Sequence, residues 1–317
     1  MDRQVDRAQH LSMISTAILL LALPVVADPK APGSGAGDEV AISGLFVARM
    51  GSDDASDPVL LDAARLRFFV PTQAAFVQVE VEAAGAAPTL LDAYIGVDAL
   101  GAQALLGRFE TPLTRSRLIE RERLLFLDRS LVGASSGWVD GFQVTGRGQR
   151  LDWWFALQDG SNGVLAGLMS TLRLAVQLIG GGADTATEGA WGAPRSTTLT
   201  IAGAFQDDRS HANGANGCRT AFEAFWTHDR VSAAFEILDN DADVGDSSPW
   251  SATASYMAAP RIETAIRWEE YERDQRATIA VSRYQDTRSS RWCAELGRVD
   301  DGSDSSSVFA VGVSFSF

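Results

Sequence analysis

The sequence has few of the residues that build catalytic and metal centres. It contains two cysteines, Cys218 and Cys293, and three histidines, one of which lies in the amino-terminal leader. One cysteine pair does not make a disulfide scaffold, and whether these two pair stays open. His211 and His228 share no metal-ligand spacing with the cysteines. Because no nucleophile–base motif is apparent either, we expect no metal, no cofactor and no enzymatic activity.

Lysine is almost absent, since Lys30 is the only one, and nearly all of the 27 basic residues are therefore arginines. Acidic residues number 41, which gives a formal net charge of −14. This balance argues against nucleic acid as a partner. Arginine is well suited to holding oxyanions, because its guanidinium group presents a planar fork of donors.

Long apolar runs are missing after the amino-terminal leader. A polar start with two arginines precedes the apolar run 13–26, which ends in small residues. This pattern predicts a cleaved signal peptide over residues 1–27, with an uncleaved anchor as the alternative. Residues 28–38 are rich in Pro, Gly and Ala and are expected to form a flexible tail. If residues 39–317 lie in a membrane, they must form a β-barrel, because no later run is long enough for a spanning helix.

The last eleven residues, Ser307 to Phe317, alternate strictly between two kinds of side chain. One face of an extended chain carries the apolar residues Phe309, Val311, Val313, Phe315 and Phe317, and the other carries Ala310, Gly312, Ser314 and Ser316. Such alternation is typical of a strand between lipid and water, although the last strand of a soluble sandwich would also show it. The terminal Phe317 resembles the assembly signal of bacterial outer-membrane barrels, which implies recognition by the barrel-assembly machinery.

Segments of this kind recur along the chain, separated by turn signals. We predict sixteen strands, near residues 39–50, 60–70, 74–84, 89–98, 102–109, 138–147, 151–159, 168–179, 196–206, 218–228, 230–239, 250–258, 260–272, 275–285, 287–299 and 307–317. An even number suits a closed antiparallel transmembrane barrel, and short and long connections alternate as expected. The exception is the connection 180–195, which is long although it falls at the end of the barrel where short turns are expected. Either a strand is misassigned nearby or the barrel carries an insertion there.

Charged residues fall on the strand faces that should point into the barrel, because an ionised group is costly in hydrocarbon. By alternation Arg65 and Arg67 share one such face, and Arg173 and Arg267 occupy others. Two hypotheses follow. The arginines form an anion-attracting ring, or they pair with glutamates of neighbouring strands, namely Glu80, Glu82, Glu263 and Glu269.

The longest connection, between strands five and six, is also the most highly charged. It contains the run TRSRLIERERLLFLDRSL over 114–131, in which arginines alternate with acidic residues. We expect a short helix over 116–127 with its leucines as the anchoring side. Pro112 marks the exit from the fifth strand.

Three motifs in the region Leu91 to Gly146 resemble the phosphate-selective porin O and P family. They are Asp92-Ala93-Tyr94, Gly107-Arg108-Phe109-Glu110 and Phe126-Leu127-Asp128-Arg129-Ser130-Leu131, in the family's order. The resemblance implies a sixteen-stranded homotrimeric porin in the bacterial outer membrane, whose third outer loop folds into the pore. It also implies passive diffusion of small hydrophilic solutes, with anions such as phosphate favoured.

The chain departs from the family where the motif glutamine and lysine are replaced by Arg108 and Glu110. A carboxylate beside an anion path repels anions, so a general or cation-tolerant porin is an alternative. A plugged, structural barrel without transport is another. The expected partners are outer-membrane lipid and small anionic or polar solutes. The expected pore-lining residues are Arg65, Arg67, Arg108, Glu110, Arg115, Arg117, Arg121, Arg123, Arg129, Arg173 and Arg267.

Overall fold

The computed structural model describes residues 40–51, 59–72, 74–99, 101–160, 167–180, 187–209, 217–242, 247–272, 274–285, 290–300, 302 and 305–317. The predicted signal peptide, the whole predicted tail and His211 lie outside the described residues.

Sixteen antiparallel strands form a closed barrel, in which each strand pairs with its sequence neighbours and β1 pairs with β16. The strands are β1 Ala41–Gly51, β2 Val59–Pro71, β3 Phe76–Glu82, β4 Thr89–Ala99, β5 Ala102–Glu110, β6 Trp138–Arg147, β7 Leu151–Asp159, β8 Leu168–Ile179, β9 Thr198–Asp208, β10 Gly217–His228, β11 Val231–Ala242, β12 Trp250–Ala259, β13 Ile262–Tyr271, β14 Asp274–Tyr284, β15 Ser290–Asp300 and β16 Ser305–Ser316. The predicted fold class and strand number are confirmed.

The two faces of the wall follow the alternation of the sequence. On β8, Leu172 and Leu174 are exposed while Arg173 is buried, and on β13, Trp268 is exposed while Arg267 is buried. The exposed face of the barrel is therefore apolar, as lipid contact requires, and the buried face is polar. Aromatic residues on the exposed face include Tyr256, Trp268 and Trp292, each about half exposed.

Three short helical elements interrupt the strands. They are α1 (Arg115–Leu118), a 3-10 turn (Arg121–Arg123) and α2 (Leu131–Ala134), all within the connection between β5 and β6. None of the helices in the described part of the chain is long and apolar enough to cross a membrane.

The barrel has two ends, which we call basal, where β1 begins and β16 ends, and outer, at the opposite side. The connection between β5 and β6 enters from the outer end, and the described part of the connection between β8 and β9 lies at the basal end. Both cysteine thiols are free; Cys218 is half-buried on β10 and Cys293 is buried on β15.

Candidate functional site

The interior of the barrel is occupied by residues 111–137, which we call the inserted loop. Most of its apolar side chains are buried, and Leu113, Ile119, Phe126 and Val132 are at 0 % exposure. The prediction that the third outer loop folds inward is confirmed. The candidate site is thus the interface between this loop and the barrel wall.

Carboxylates of the wall accept hydrogen bonds from the loop's backbone amides. The amides of Arg115, Ser116 and Leu131 donate to Glu223, Glu236 and Glu269 over 2.7, 2.8 and 2.7 Å respectively. The amide of Leu127 donates to Glu295 on β15 in the same way. Charged acceptors form stronger hydrogen bonds than neutral ones, and these satisfy backbone donors that regular secondary structure leaves unpaired.

Arginines of the wall bind the loop's carbonyl oxygens. Arg173 donates to the carbonyl of Leu113 over 3.2 Å, and Arg267 donates to that of Asp128 over 3.0 Å. Arg291 on β15 donates to the carbonyls of Leu124 and Phe126. The wall therefore supplies both donors and acceptors for the backbone of an irregular chain segment.

These contacts explain why the helix predicted over 116–127 is largely wrong. The first helical element ends at Leu118, and Ile119 is already extended, with ψ at 125°. Beyond it, loop amides such as that of Leu127 donate to wall carboxylates instead of to carbonyls four residues earlier. An α-helix needs hydrogen bonds from each amide to the carbonyl four residues earlier. Here carboxylates of the wall accept those amides instead.

Arg129 holds the loop together from within. Its guanidinium donates to the carbonyls of Ser116, Arg117 and Ile119 over 2.6, 2.8 and 2.7 Å. Burial lowers the pKa of Arg129 to about 10, and the nearby carboxylate of Glu110 acts in the opposite direction. Arg129 is still a cation at neutral pH, and it contributes to the shape of the loop.

Arg65 and Arg67 point into the barrel as alternation predicts, and both are paired. Arg65 contacts Glu80 and Glu82 over 3.3 and 3.0 Å, and Arg67 contacts Glu80 over 2.6 Å. Arg67 also binds Glu120 of the inserted loop over 2.9 Å. Of the two hypotheses for these arginines, the contacts therefore favour internal ion pairing.

Glu110 stands where the resembled motif has a lysine, and this carboxylate has cationic partners in the inserted loop. Glu110 lies 3.3 Å from the guanidinium of Arg117 and 3.6 Å from that of Arg129. The Arg117 guanidinium also stacks over the ring of Trp138, 4.2 Å from the ring centre. A carboxylate at position 110 is thus matched by two loop cations.

The other predicted arginines divide into two groups. Arg115, Arg121, Arg123, Arg173 and Arg267 lie in the interior with the inserted loop and the wall. Arg115 stacks over Phe225 at 3.7 Å, and Arg121 pairs with Asp62. Arg108 does not lie in the interior with them. It donates to the carbonyl of Leu90 and approaches Asp140, whose side chain is 62 % exposed.

A second segment fills the barrel from its basal end, in the connection that was too long for its position. We call residues 187–192 the basal segment. The strands on either side match those predicted, so an insertion is the correct explanation of the misfit. Thr187, Glu188 and Ala190 are each 4 % exposed. The ring of Trp191 stacks on that of Tyr284, with centres 4.2 Å apart and planes 5° apart.

A cavity of about 320 Å³ opens between the inserted loop and strands β13, β14, β15, β16, β1 and β2 near the outer end. Its lining includes Arg49, Asp128, Arg267, Arg276, Thr278 and Glu295. The lining mixes charged and apolar side chains, and the cavity reaches the inserted loop at Asp128.

Sequence reasoning missed several interior residues that hold the loop. They are Glu188, Glu223, Glu236, Glu295, Arg49 and Arg291. For three of them a signal was present in the sequence, because Glu223, Glu236 and Arg291 occupy strand positions that alternate toward the interior. What the sequence did not reveal is that their partners are backbone groups of the loop.

No family model matches the sequence, and no curated protein sequence matches it. Solved structures do resemble it. The anion-selective porin from Comamonas acidovorans is 11 % identical with a TM-score of 0.63, over 88 % of this chain and 99 % of that one. OmpF of Salmonella typhi, solved in complex with daunomycin, is 14 % identical with a TM-score of 0.64, over 89 % and 98 %.

A third similar structure is OmpT of Vibrio cholerae, described as an outer membrane protein, at 12 % identity and a TM-score of 0.61, over 88 % of this chain and 97 % of that one. Likeness at this identity establishes the fold, which is that of the bacterial porin barrels. The closed barrel and its apolar outer face confirm the predicted outer-membrane location.

One sequence-based expectation is corrected by these findings, namely that the chain is not an enzyme. It rested on the lack of a local motif, whereas the barrel brings distant residues together, such as Ser255, Glu263 and Tyr284. The similar structures, OmpT among them, share only the fold with this chain. The exclusion of enzymatic activity is therefore dropped.

Proposed function

We propose that the chain is an outer-membrane channel of the porin type, which passes small hydrophilic solutes and is closed in the state described here. The observation that carries the proposal is that the segment filling the interior is bound to the wall by polar contacts. The inserted loop is held to the wall by hydrogen bonds and ion pairs, such as those of Glu223 and Arg267. Water can replace polar contacts of this kind, so a closed lumen can open without disrupting the barrel.

The polar lumen and its outer cavity support transport. A barrel that served only as an anchor would need no water-accessible vestibule, yet one of about 320 Å³ reaches the inserted loop. Its volume suits a solute of a few non-hydrogen atoms with its hydration water. The route would run from this vestibule past Asp128 once the loop moves.

The ion preference of the channel should be weak. The resemblance to the phosphate-selective family favours anions, and one similar structure is an anion-selective porin. In this chain, however, Arg65, Arg67 and Arg173 are paired with glutamates. Paired cations contribute little net potential to a pore, so we propose a general porin with at most a small preference for anions.

A permanently plugged, structural barrel is the second candidate. It is favoured by the density of contacts between the inserted loop and the wall, which include seven wall carboxylates or arginines bound to loop backbone groups within 3.2 Å. The two functions differ in one measurable property, which is conductance.

Assembly and export complete the proposal. We propose residues 1–27 as a cleaved signal peptide, Phe317 as the recognition residue for the barrel-assembly machinery, and a homotrimer as the assembled form. The last of these follows the porin resemblance, and a trimer form is described for OmpT of Vibrio cholerae.

The test is electrical recording from the purified full-length protein in a planar bilayer under a KCl gradient. We expect brief current steps with a reversal potential close to zero, and heat-denatured protein as the control should give none. A reversal potential near the chloride equilibrium value would instead assign the anion-selective function. Lack of steps in the wild type and in every variant described below would identify a structural barrel.

A further inference from the structure

The basal segment occupies the lumen in addition to the inserted loop, at the opposite end of the barrel. It reaches the wall through the amide of Ala190, which donates to Glu263 over 2.6 Å and to the hydroxyl of Ser255 over 3.2 Å. The hydroxyl of Tyr284 donates to the other carboxylate oxygen of Glu263 over 2.8 Å. One wall glutamate thus fixes the segment and also orients the ring on which Trp191 stacks.

The same segment contacts the inserted loop. The guanidinium of Arg115 donates to the carbonyl of Thr187, and the amide of Glu188 donates to the carbonyl of Arg123 over 3.3 Å. The Glu188 carboxylate in turn accepts from the amide of Leu125. The two segments enter from opposite ends of the barrel and are joined inside it by these hydrogen bonds.

The fit of the basal segment leaves no room for a side chain at Gly189. A Cβ atom there would lie 2.5 Å from a carboxylate oxygen of Glu263 and 2.9 Å from its carboxyl carbon. The neighbouring carboxylate cannot retreat without losing Ala190 and Tyr284, which both donate to it. Glycine is therefore required for the docked position.

From these contacts we propose that the basal segment is a resident plug, which closes the channel from the basal end and must leave its seat on Glu263 and Tyr284 for solutes to pass. The docking is specific, because it depends on the stack of Trp191 on Tyr284, on the buried carboxylate of Glu263 and on glycine at position 189. The inference rests on the proposed channel function and adds its regulation. Because Glu188 joins the plug to the inserted loop, release of the plug also loosens that loop.

The test compares single-channel recordings of full-length variants. Gly189→Ala should displace the plug and raise the open probability at least several-fold over wild type. Gly203→Ala on β9 is the matched control, since the nearest atom to its new Cβ would be 3.6 Å away, an ordinary contact. Trp191→Ala is a second variant with the same expected direction, and Trp292→Ala on the exposed face is its control.

Heat-dependent migration on gels shows whether each variant has folded into a barrel. Current steps in the wild type that are unchanged in folded Gly189→Ala and Trp191→Ala would overturn the plug and leave the channel function intact. Silence of the wild type and of both folded variants would overturn the channel function, and the plug with it. Longer or more frequent openings in these two variants alone would support both.

Discussion

Arg173 on β8 and Glu223 on β10 form a two-pronged ion pair across the intervening strand β9, with nitrogen–oxygen distances of 2.7 and 2.6 Å. Each side chain is only 3 % exposed. Glu223 also accepts the amide of Arg115 over 2.7 Å, so the pair forms part of the inserted loop's anchorage. An ion pair of this kind couples the stability of the wall to the position of the loop.

Breaking this pair from one side should be strongly destabilising. Arg173→Met leaves Glu223 buried with an uncompensated charge, which typically costs roughly 3–5 kcal/mol in the free energy of unfolding. Urea titration in lipid vesicles measures this loss. The double variant Arg173→Met with Glu223→Leu should be less destabilised than the sum of the two single variants. Strict additivity would mean that the two side chains do not interact.

The contact between Gly312 on β16 and Leu127 of the inserted loop predicts an effect of side-chain size. A Cβ atom at position 312 would lie 2.3 Å from the Leu127 side chain. Gly312→Ala should therefore destabilise the docked loop by roughly 1–3 kcal/mol, which is typical of overpacking. Proteolysis within the loop should become faster. Adding Leu127→Ala restores the space, and slow proteolysis should return at least partly.

The predicted weak selectivity can be shifted by removing paired cations. Arg65→Ala combined with Arg67→Ala leaves Glu80, Glu82 and Glu120 without these partners. The reversal potential under a KCl gradient should move toward cation preference, because the net charge of the lumen becomes more negative. Arg108→Ala is the control, as Arg108 lies beside the exposed Asp140. Equal shifts in both would contradict a lumenal role of the pair.

Stability should fall as the pH rises from about 5 to 8, because of Glu122 in the inserted loop. Burial and the adjacent charge of Glu120 raise the pKa of Glu122 from 4.5 to about 8. In this window the folded protein holds a proton that the unfolded chain has released, so stability is lost with increasing pH. Urea midpoints at several pH values measure the effect. Glu122→Gln should flatten the dependence, and an unchanged slope in that variant would assign the effect to another group.

The wall of this barrel could be predicted from the sequence almost completely, because each strand position depends on its own residue type. Leu172 and Arg173 differ in polarity, and that difference alone decides which faces lipid. The interior could not be predicted in the same way. Leu125 binds Glu188, which is 63 residues away, and Leu127 binds Glu295, which is 168 residues away. No local pattern in the run 114–131 encodes those partners.

The misplaced helix and the basal insertion have the same physical origin. In both, backbone groups are satisfied by charged side chains of the wall, so local propensity loses its influence. The glycine-rich run before Trp191 gave the only warning, since it was too long for a turn. Glu110 differs, because the sequence alone marks its carboxylate as a departure from the resembled motif, and in the structure it has two arginine partners.

The dispersed anchorage of the inserted loop sets an order of events during biogenesis. Its amides and carbonyls depend on Arg173, Glu236, Glu269 and Arg291, which lie on strands made long after the loop itself. The loop can therefore adopt its docked conformation only when those strands are already in the sheet.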